Sequence, residues 1–330
     1  MSLHYPHAHP PAAGQQIEVA PGIHWLRMPL PFQLNHINLW LLRDGDGWTI
    51  VDTGFANDAV RDIWRPLIAG LDGPVHRLIV THFHPDHLGL ATWLMEETGA
   101  QLWMTSGEFL TAHVVWNEVG GHGARFMVEQ FRQHGLEAER LAKFEKRGSG
   151  YRMAVPALPE HYPRLKAGDT VAVDGKKWRI LIGHGHSPEH MALYCAELGV
   201  LISGDMLLPK ISTNISVFAA TPEADSLGWF LESLQELARE MPEKTLVLPS
   251  HGLPFTGIQA RVEALRAHHE DRLRALEETC EDAPQSAAGL LETLFPRALD
   301  TRQTMFAMGE AIAHRNHLEQ AGRLSRSIDT

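Results

Sequence analysis

The chain has 330 residues, of which 44% are hydrophobic and 21% are charged, and its formal net charge is −11. This composition is close to that of ordinary globular proteins and excludes a disordered or fibrous chain. The length allows one large domain with a smaller appendage, because single cores stop growing at roughly 250–300 residues. The negative charge disfavours a broad grip on nucleic acid, which needs a basic face, but leaves a local basic patch open.

Cysteine content and hydropathy bear on the location of the protein. Two cysteines are too few for a disulfide framework. No apolar run reaches the roughly 18–20 residues that span a bilayer, and the first residues have neither the basic nor the apolar part of a secretory signal. We therefore expect a cytoplasmic protein with no membrane partner. The sequence leaves open whether the chain forms a homodimer.

The first half of the chain alternates between strand and helix patterns. Residues 1–16 are rich in Pro, His and Ala without periodicity, which is typical of a flexible or loosely docked arm. Strand-like runs begin at Ile17, and Asp44-Gly45-Asp46-Gly47 is a hairpin turn signal between two of them. The periodicity next predicts a helix over 57–71, a buried strand over 76–81, and a helix over 86–97 closed by Gly99.

The second half of the chain contains a helical insertion and a helical end. The helical pattern from about 108 to 164 interrupts the strands, and we interpret it as a lid or substrate-binding wall. Strand patterns then resume at 170–173, 178–182, 192–196, 200–203 and 246–249. Beyond Gly257 three amphipathic helices and a short polar run indicate a small winged-helix-like unit. We expect an arm over 1–16, a main domain over 17–257 and a C-terminal domain over 258–330.

The motif His82-Phe83-His84-Pro85-Asp86-His87 places three imidazoles and one carboxylate within six residues, directly after a predicted buried strand. Alternation along an extended loop lets His82 and His84 point to the same side. The helical turn from Pro85 then brings Asp86 and His87 close to them. Because a single zinc ion needs only three protein ligands plus water, four candidate ligands in one loop favour a pair of ions.

Further candidate ligands follow later strands. His186, Asp205 and His251 each come after an apolar strand and before a turn. Loops at the carboxyl ends of strands are where open α/β sheets place their chemistry. We therefore expect these side chains to converge with the histidine motif at one edge of the fold.

The segments HFHPDH, GHSPEH, SGDMLL and PSHG, in that order, resemble the successive metal motifs of the metallo-β-lactamase superfamily over roughly residues 17–257. The resemblance implies an α/β fold, the αββα sandwich of that superfamily, here with the helical insertion and the small winged-helix-like C-terminal domain. It also implies two sets of ligands joined by a bridging carboxylate, with His82, His84 and His186 at one metal, Asp86, His87 and His251 at the other, and Asp205 between them.

Two further residues are expected to support the ligands. Asp52, in Val51-Asp52-Thr53-Gly54, matches an early turn of the superfamily whose carboxylate contacts a ligand rather than the metal. His190 follows His186 closely and is a second candidate for this supporting role.

The implied chemistry is hydrolysis. Two divalent ions that share Asp205 can share a hydroxide, because coordination lowers the pKa of water from 15.7 to about 7. We therefore expect Asp86 and Asp205 to be the catalytic carboxylates, with no serine or cysteine nucleophile. The ligand set, which lacks cysteine, favours zinc, and iron or manganese accept the same nitrogen and oxygen ligands.

Three classes of function stay open at this point. The C-terminal helices resemble an extension found near the β-lactamase-like protein 2 and glyoxalase II group, which favours hydrolysis of a small-molecule thioester, ester or lactone. The alternative is a metal-dependent single-strand ribonuclease or phosphodiesterase, which the net charge disfavours. An iron-dependent oxidoreductase ranks third, because no flavin-binding βαβ pattern follows Gly257. The candidate substrate contacts are Lys210, Asn214 and Arg125.

Overall fold

Two β-sheets face each other, with helices on both outer sides, in the computed structural model, which describes residues 3–148 and 150–327. The inner layer between the sheets is apolar, and Trp25 and Trp40 stack there with their ring centroids 6.2 Å apart. Trp178 of the second sheet is buried in the same layer. The predicted αββα sandwich is therefore confirmed.

The first sheet contains, within the described residues, seven strands in chain order: β1 (Gln16–Ala20), β2 (Ile23–Pro29), β3 (His36–Asp44), β4 (Gly47–Val51), β5 (Val75–Ile79), β6 (Gln101–Thr105) and β7 (Arg164–Leu165). Strands β1 to β4 form an antiparallel meander, and β4 to β7 run parallel. The predicted hairpin is present, since Asp44 pairs with Gly47 and Gly45 adopts the positive φ of 64° that glycine tolerates. The parallel strands β4 and β5 end at the same edge, just before Asp52 and His82.

The second sheet has the order β12-β11-β10-β9-β8. Its strands in the described part of the chain are β8 (Thr170–Val173), β9 (Lys176–Gly183), β10 (His190–Cys195), β11 (Val200–Gly204) and β12 (Leu246–Pro249). Strands β8 to β11 are antiparallel, whereas β11 and β12 are parallel. Each predicted strand of this half is present with slightly different ends. Because β11 and β12 are parallel, Asp205 and His251 emerge at one edge.

The helices of the described residues cover the outer faces of both sheets. They are α1 (Asp58–Ala69), α2 (Pro85–Leu88), α3 (Ala91–Thr98), α4 (Ser106–Trp116), α5 (Ala124–Gln133), α6 (Ala138–Arg147), α7 (Tyr151–Ala154), α8 (Ser226–Glu240), α9 (Ile258–Asp282), α10 (Leu291–Leu294) and α11 (Thr301–Gln320). None of the helices in this part of the chain is long and apolar enough to cross a membrane.

The predicted helix over 86–97 is wrong in one respect, because the structure divides it into α2 and α3. The backbone N–H of Leu90 donates to Gly54 O over 3.2 Å, and this long-range bond turns the chain between the two helices. Gly89 is required at the turn, since a Cβ atom there would lie 2.8 Å from the backbone nitrogen of Ala56. The predicted end is confirmed, with Gly99 as a left-handed C-cap.

Sequence reasoning missed helix α8. The side chain of Asp225 caps it by accepting a hydrogen bond from Gly228 N over 2.8 Å. Its buried residues recur at helical spacing: Leu227, Phe230, Leu234 and Leu237. The cap and the apolar spacing were both visible in the sequence and would have identified this helix.

The insertion over 108–164, described except for residue 149, contains most of α4 and all of α5, α6 and α7, and after Ala154 it runs without helix into β7. Helices α4 and α7 pack on the core beside the first sheet, whereas α5 and α6 pack with the C-terminal helices. The insertion therefore spans the two outer layers of the sandwich.

The described parts of both ends of the chain pack against the rest of the protein. The expected arm over 1–16, described from residue 3, pairs His4 with Thr256 through two backbone hydrogen bonds, so this part is not free. The C-terminal unit over 258–330, described to residue 327, contains helices and no strand in that range. Arg323 pairs with Glu270 and Glu277 of α9. Arg326 pairs with Glu319 of α11 and with Glu223 in the loop before α8, so ion pairs hold this polar run against the helices.

Candidate metal centre

The histidine motif forms the loop after β5 and the first turn of α2. His82 Nε2 lies 2.9 Å from His84 Nδ1, so both ring nitrogens face one point. His82 and His87 are completely buried. Pro85 starts α2 at a position where the missing N–H has no cost, and this turn brings Asp86 and His87 to the other side of the same space.

His186 reaches the site from the loop after β9. Its Nε2 atom lies 3.2 Å from His82 Nε2. The other ring nitrogen, Nδ1, lies 2.7 Å from Asn214 O and donates to it, which leaves a lone pair on Nε2. His82, His84 and His186 thus place ligand atoms within 4.8 Å of one another, as the predicted first set requires.

Asp205 follows β11 and faces both sides of the site. Its Oδ2 atom lies 3.5 Å from His186 Nε2. Its Oδ1 atom lies 3.4 Å from His251 Nε2 and 3.6 Å from His87 Nε2. Because each oxygen of this carboxylate is directed to a different group of histidines, Asp205 has the position expected of a bridging ligand.

Asp86, His87 and His251 form another group whose ligand atoms lie within 4.8 Å of one another. Asp86 Oδ2 lies 3.5 Å from His251 Nε2 and 3.7 Å from His87 Nε2. His251 donates from Nδ1 to His36 O over 2.8 Å, which presents Nε2 to the site. The structure therefore brings all of the predicted ligands to one edge of the sandwich.

These donors fit divalent metal ions. His87 Nε2 and Asp205 Oδ1 are buried and have no hydrogen-bond partner among the described residues. A buried polar atom without a partner is costly in a folded protein. Imidazole nitrogen and carboxylate oxygen are the ligands that zinc and related ions bind. The arrangement is that of a metal centre rather than of a self-contained polar network.

Asp52 makes a hydrogen bond to one of the predicted ligands. Its Oδ2 atom accepts from His87 Nδ1 over 2.8 Å, and its Oδ1 atom accepts from Thr81 N over 2.8 Å. The backbone of Asp52 has a φ of 61°, a left-handed conformation that aspartate tolerates better than most residues. This carboxylate fixes the tautomer of His87 and directs Nε2 to the site.

His190 holds the backbone beside Asp205. Its Nε2 atom accepts from Asp205 N over 3.0 Å. Gly204 is needed for this contact, because a Cβ atom there would lie 2.4 Å from the imidazole of His190. The structure thus places His190 against the backbone of Asp205, and its supporting role stays a prediction.

The electrostatics separate the histidines into two kinds. Burial and the neighbouring imidazoles hold the pKa of His82 and His84 well below its ordinary value. Burial also opposes a charge on His87 and His251, but the nearby carboxylates outweigh it and raise the pKa of both. For Asp205, burial disfavours the charged form, yet the surrounding histidines lower its pKa. The group that contains Asp86 thus lies in the more negatively charged surroundings.

The comparisons with known proteins agree with this geometry. The profile of the metallo-beta-lactamase superfamily matches residues 33–251. The chain belongs to the metallo-beta-lactamase superfamily. A second profile, of the metallo-beta-lactamase-like C-terminal domain, matches residues 273–330.

Solved structures of this superfamily match nearly the whole chain. A beta-lactamase domain protein from Burkholderia ambifaria is 47% identical with a TM-score of 0.92, covering 98% of this chain and 95% of that one. A metallo-beta-lactamase family protein from Thermus thermophilus is 33% identical with a TM-score of 0.79, covering 94% and 97%. These similarities include the C-terminal helices as well as the sandwich.

Curated relatives are more distant. The probable metallo-hydrolase YqjP of Bacillus subtilis (strain 168) is 24% identical over 308 residues, which are 89% of this chain and 91% of that protein. The hydroxyacylglutathione hydrolase of Synechococcus sp. (strain JA-3-3Ab) is 36% identical over 94 residues, which are 28% and 34% of the two chains. The superfamily match, these relatives and the site geometry together show that this protein is a metal-dependent hydrolase.

Sequence reasoning missed Glu108, which lies on α4 and links two ligand loops of this metallo-beta-lactamase fold. Its Oε2 atom accepts from Phe83 N over 2.9 Å, and its Oε1 atom accepts from Ser187 Oγ and Glu189 N, each over 2.7 Å. Burial raises its pKa, although these hydrogen bonds oppose the shift. A single glutamate in a largely apolar helix gives no sequence signal of such a role.

The predicted substrate contacts differ in position. Asn214 adjoins the site, because its carbonyl accepts from His186 and its side chain accepts from Ser216 Oγ over 2.8 Å. Lys210 is exposed. Arg125 is exposed on α5 and lies over its neighbour Phe126. The described contacts therefore connect only Asn214 to the ligands, and the contact role of all three stays a prediction.

Proposed function

We propose that this metal-dependent hydrolase uses a binuclear centre, with zinc as the preferred metal, to hydrolyse a small-molecule thioester, ester or lactone. One observation carries the binuclear proposal: the two oxygens of Asp205 face different histidine groups, at 3.5 Å from His186 and 3.4 Å from His251. A carboxylate that only accepted a hydrogen bond from one histidine would use one oxygen, and its second oxygen would not have to face another histidine group. We assign the catalysis to residues 17–257 and a share of the substrate-binding surface to residues 258–330.

The donor chemistry supports zinc at both positions. His82, His84 and His186 supply three imidazoles to one position, and Asp86, His87 and His251 supply two imidazoles and a carboxylate to the other. Three protein ligands with an open position are typical of catalytic zinc. Iron and manganese accept the same donors, so the metal in the cell is a matter for measurement.

The residues of the chain hold this donor set in place. Bound divalent ions would supply Lewis acidity and a water whose pKa is lowered to about 7. Asp52 fixes the ring of His87, His190 fixes the backbone of Asp205, and the carbonyl of Asn214 fixes the ring of His186. Donors held in advance need little reorganisation during the reaction, which is the main source of electrostatic catalysis.

Two observations favour a small molecule over nucleic acid. The hydroxyacylglutathione hydrolase of Synechococcus, to which 28% of the chain is similar, is named for a small thioester substrate class. The net charge of this chain is −11, and Arg323 and Arg326 near its end are already paired with glutamates. A single-strand nuclease needs a continuous basic surface, and arginines that are paired with glutamates do not supply one.

Metal content and turnover on defined substrates test the proposal. Protein loaded with zinc or manganese should bind close to two ions per chain by elemental analysis. It should hydrolyse at least one member of a panel of thioesters, esters and lactones faster than bis-p-nitrophenyl phosphate or single-stranded RNA. A stoichiometry that never exceeds one ion would exclude the binuclear centre. Preferential cleavage of RNA would establish the nuclease alternative instead.

A further inference from the structure

A guanidinium of the C-terminal helices packs against a loop that leads to the metal centre. Arg302, in the first turn of α11, places its Cζ atom 3.3 Å from the ring centroid of Phe32. Phe32 belongs to the loop between β2 and β3. The same loop binds α11 a second time, because Gln303 Nε2 donates to Gln33 Oε1 over 3.0 Å. The loop thus fixes the position of Arg302.

This loop is also connected to a ligand of the metal centre. It ends at His36, whose carbonyl accepts the Nδ1 proton of His251 over 2.8 Å. His36 Nε2 in turn accepts from Gly252 N over 2.9 Å. Arg302, Phe32 and His251 are therefore held to one another through a single short segment, and the guanidinium has a defined place relative to the centre.

The guanidinium of Arg302 has no hydrogen bond or ion pair with any residue that the structure describes. In contrast, Arg323 binds Glu270 and Glu277, only about twenty residues further along the chain. Burial lowers the pKa of Arg302 and Arg147 lowers it further, whereas the carboxylates of Asp86 and Asp300 raise it. Both a second guanidinium and a predicted metal ligand are therefore within electrostatic reach.

Arg147, at the end of α6 in the insertion, is exposed and likewise has no ion pair among the described residues. Arg147 and Arg302 carry like charges within electrostatic reach of each other, and an anion bound by both would offset their repulsion. A guanidinium presents parallel donors that match the oxygens of a carboxylate or phosphate. Phe32 holds the guanidinium plane of Arg302 by stacking, so little rotational freedom is lost when an anion binds.

We propose that Arg302, assisted by Arg147, binds an anionic group of the substrate at the mouth of the centre, so that the preferred substrate is an ester or thioester with a carboxylate or phosphate remote from the scissile bond. This inference rests on the proposed function and narrows it. It gives the C-terminal helices and the insertion a shared role, since each contributes one arginine to substrate recognition.

Matched substrates and variants test the anion site. Three thioesters that differ only at one end, in a carboxylate, a phosphate or a neutral carboxamide, are assayed on zinc-loaded wild type, Arg302→Gln and Arg302→Lys. The control is Arg266→Gln, an exposed arginine of α9 paired with Glu263. Arg302→Gln should lower kcat/KM for an anionic substrate by about 10- to 100-fold, mainly through KM, because a charge-assisted hydrogen bond is lost. Turnover of the carboxamide should not change.

The preferred anion, carboxylate or phosphate, identifies the source of the charge, and Arg302→Lys should recover part of the loss. An equal loss on all three substrates, or none on any, overturns the anion site while leaving the hydrolase intact. If wild type hydrolyses none of them, calorimetric binding of glutarate and glycerol phosphate to the zinc-loaded protein replaces turnover. Binding that Arg302→Gln does not weaken then overturns the anion site.

Discussion

His87 donates its Nδ1 proton to Asp52 Oδ2 over 2.8 Å, and neither side chain reaches solvent. This pair connects the turn after β4 to the first turn of α2. Because the donated proton fixes the tautomer, the Nε2 atom of His87 is committed to the metal centre. The carboxylate also makes His87 more basic, which strengthens it as a ligand.

We therefore predict that Asp52→Asn weakens binding of one metal rather than abolishing the fold. An amide keeps one acceptor but loses the charge, and it cannot satisfy both His87 and Thr81. The expected loss is about 10- to 100-fold in metal affinity or activity. Competition with a chromophoric chelator measures the affinity. Asp62→Asn, an exposed residue of α1 paired with Arg65, is the control and should leave both ions bound normally.

A second prediction concerns Asp205, the proposed bridging carboxylate. Asp205→Asn keeps the size of the side chain but removes the charge that offsets two cations, so the ions should repel each other more strongly and one should be lost. His190→Gln removes only the contact to Asp205 N, for which the expected loss is about 10- to 100-fold in activity. Metal content and kcat, measured in parallel, should show Asp205→Asn as the more damaging change.

An Asp205→Asn protein that retained two ions and near-normal turnover would remove Asp205 from the centre. Circular dichroism supplies the check on folding for both variants. Chelation of the wild type should likewise abolish activity but leave the far-ultraviolet spectrum in place, because a core of this size does not depend on metal. Global unfolding on chelation would mean that the ions are structural.

Glu108 leads to a third prediction, on positioning. All three of its hydrogen bonds are accepted, from Phe83 N, Ser187 Oγ and Glu189 N. Glu108→Gln turns an amide donor toward at least one of these donors, which should lower the free energy of unfolding by about 1–3 kcal/mol. The loops of His84 and His186 should also loosen, so metal affinity should fall. Denaturant titration and metal competition are the two measurements.

Glu97→Gln is the control for this experiment, because Glu97 is exposed on α3 and the same isosteric change there should be neutral. If Glu108→Gln matched this control in both stability and metal affinity, Glu108 would have no part in joining the two loops. A loss of stability with unchanged affinity would reduce its role to packing.

The candidate ligands could be predicted because their loops follow strands that the sequence itself reveals. An apolar run ends at Thr81, another before Asp205 and a third before His251, and ligating residue types occupy those ends. Parallel neighbours then bring the ends to one edge by necessity. Local sequence and strand topology were sufficient for this part of the site.

The parts that sequence reasoning missed depend on contacts between distant segments. Glu108 bonds to residues 25 and 81 positions away. The division of the helix after the histidine motif depends on Leu90 N bonding to Gly54 O, which no helical periodicity records. No sequence pattern distinguishes Arg302 from the other arginines, because its position is set by contact with the loop of Phe32, far earlier in the chain.

The last prediction tests how the C-terminal helices are attached. Asp225 caps α8 through Gly228 N and also accepts from His317 Nδ1 of α11 over 3.0 Å. Burial would raise the pKa of Asp225, but the hydrogen bonds from His317 and Gly228 outweigh it and lower the pKa below 3.8. A carboxyl whose pKa is lowered by folding stabilises the protein fully above its unfolded pKa, and the contribution disappears as the pH falls through the folded value.

Asp225→Ala should therefore reduce the free energy of unfolding by about 1–2 kcal/mol at pH 7, with the difference from wild type shrinking below about pH 4. Asp225→Asn, which can still cap the helix, should cost less. Denaturant titrations at pH 7 and at steps from about pH 4 down to about pH 2 measure both, with Asp271→Ala on the exposed face of α9 as the control. A difference that stays constant across this pH range would show that the charge of Asp225 does not hold α8 to α11.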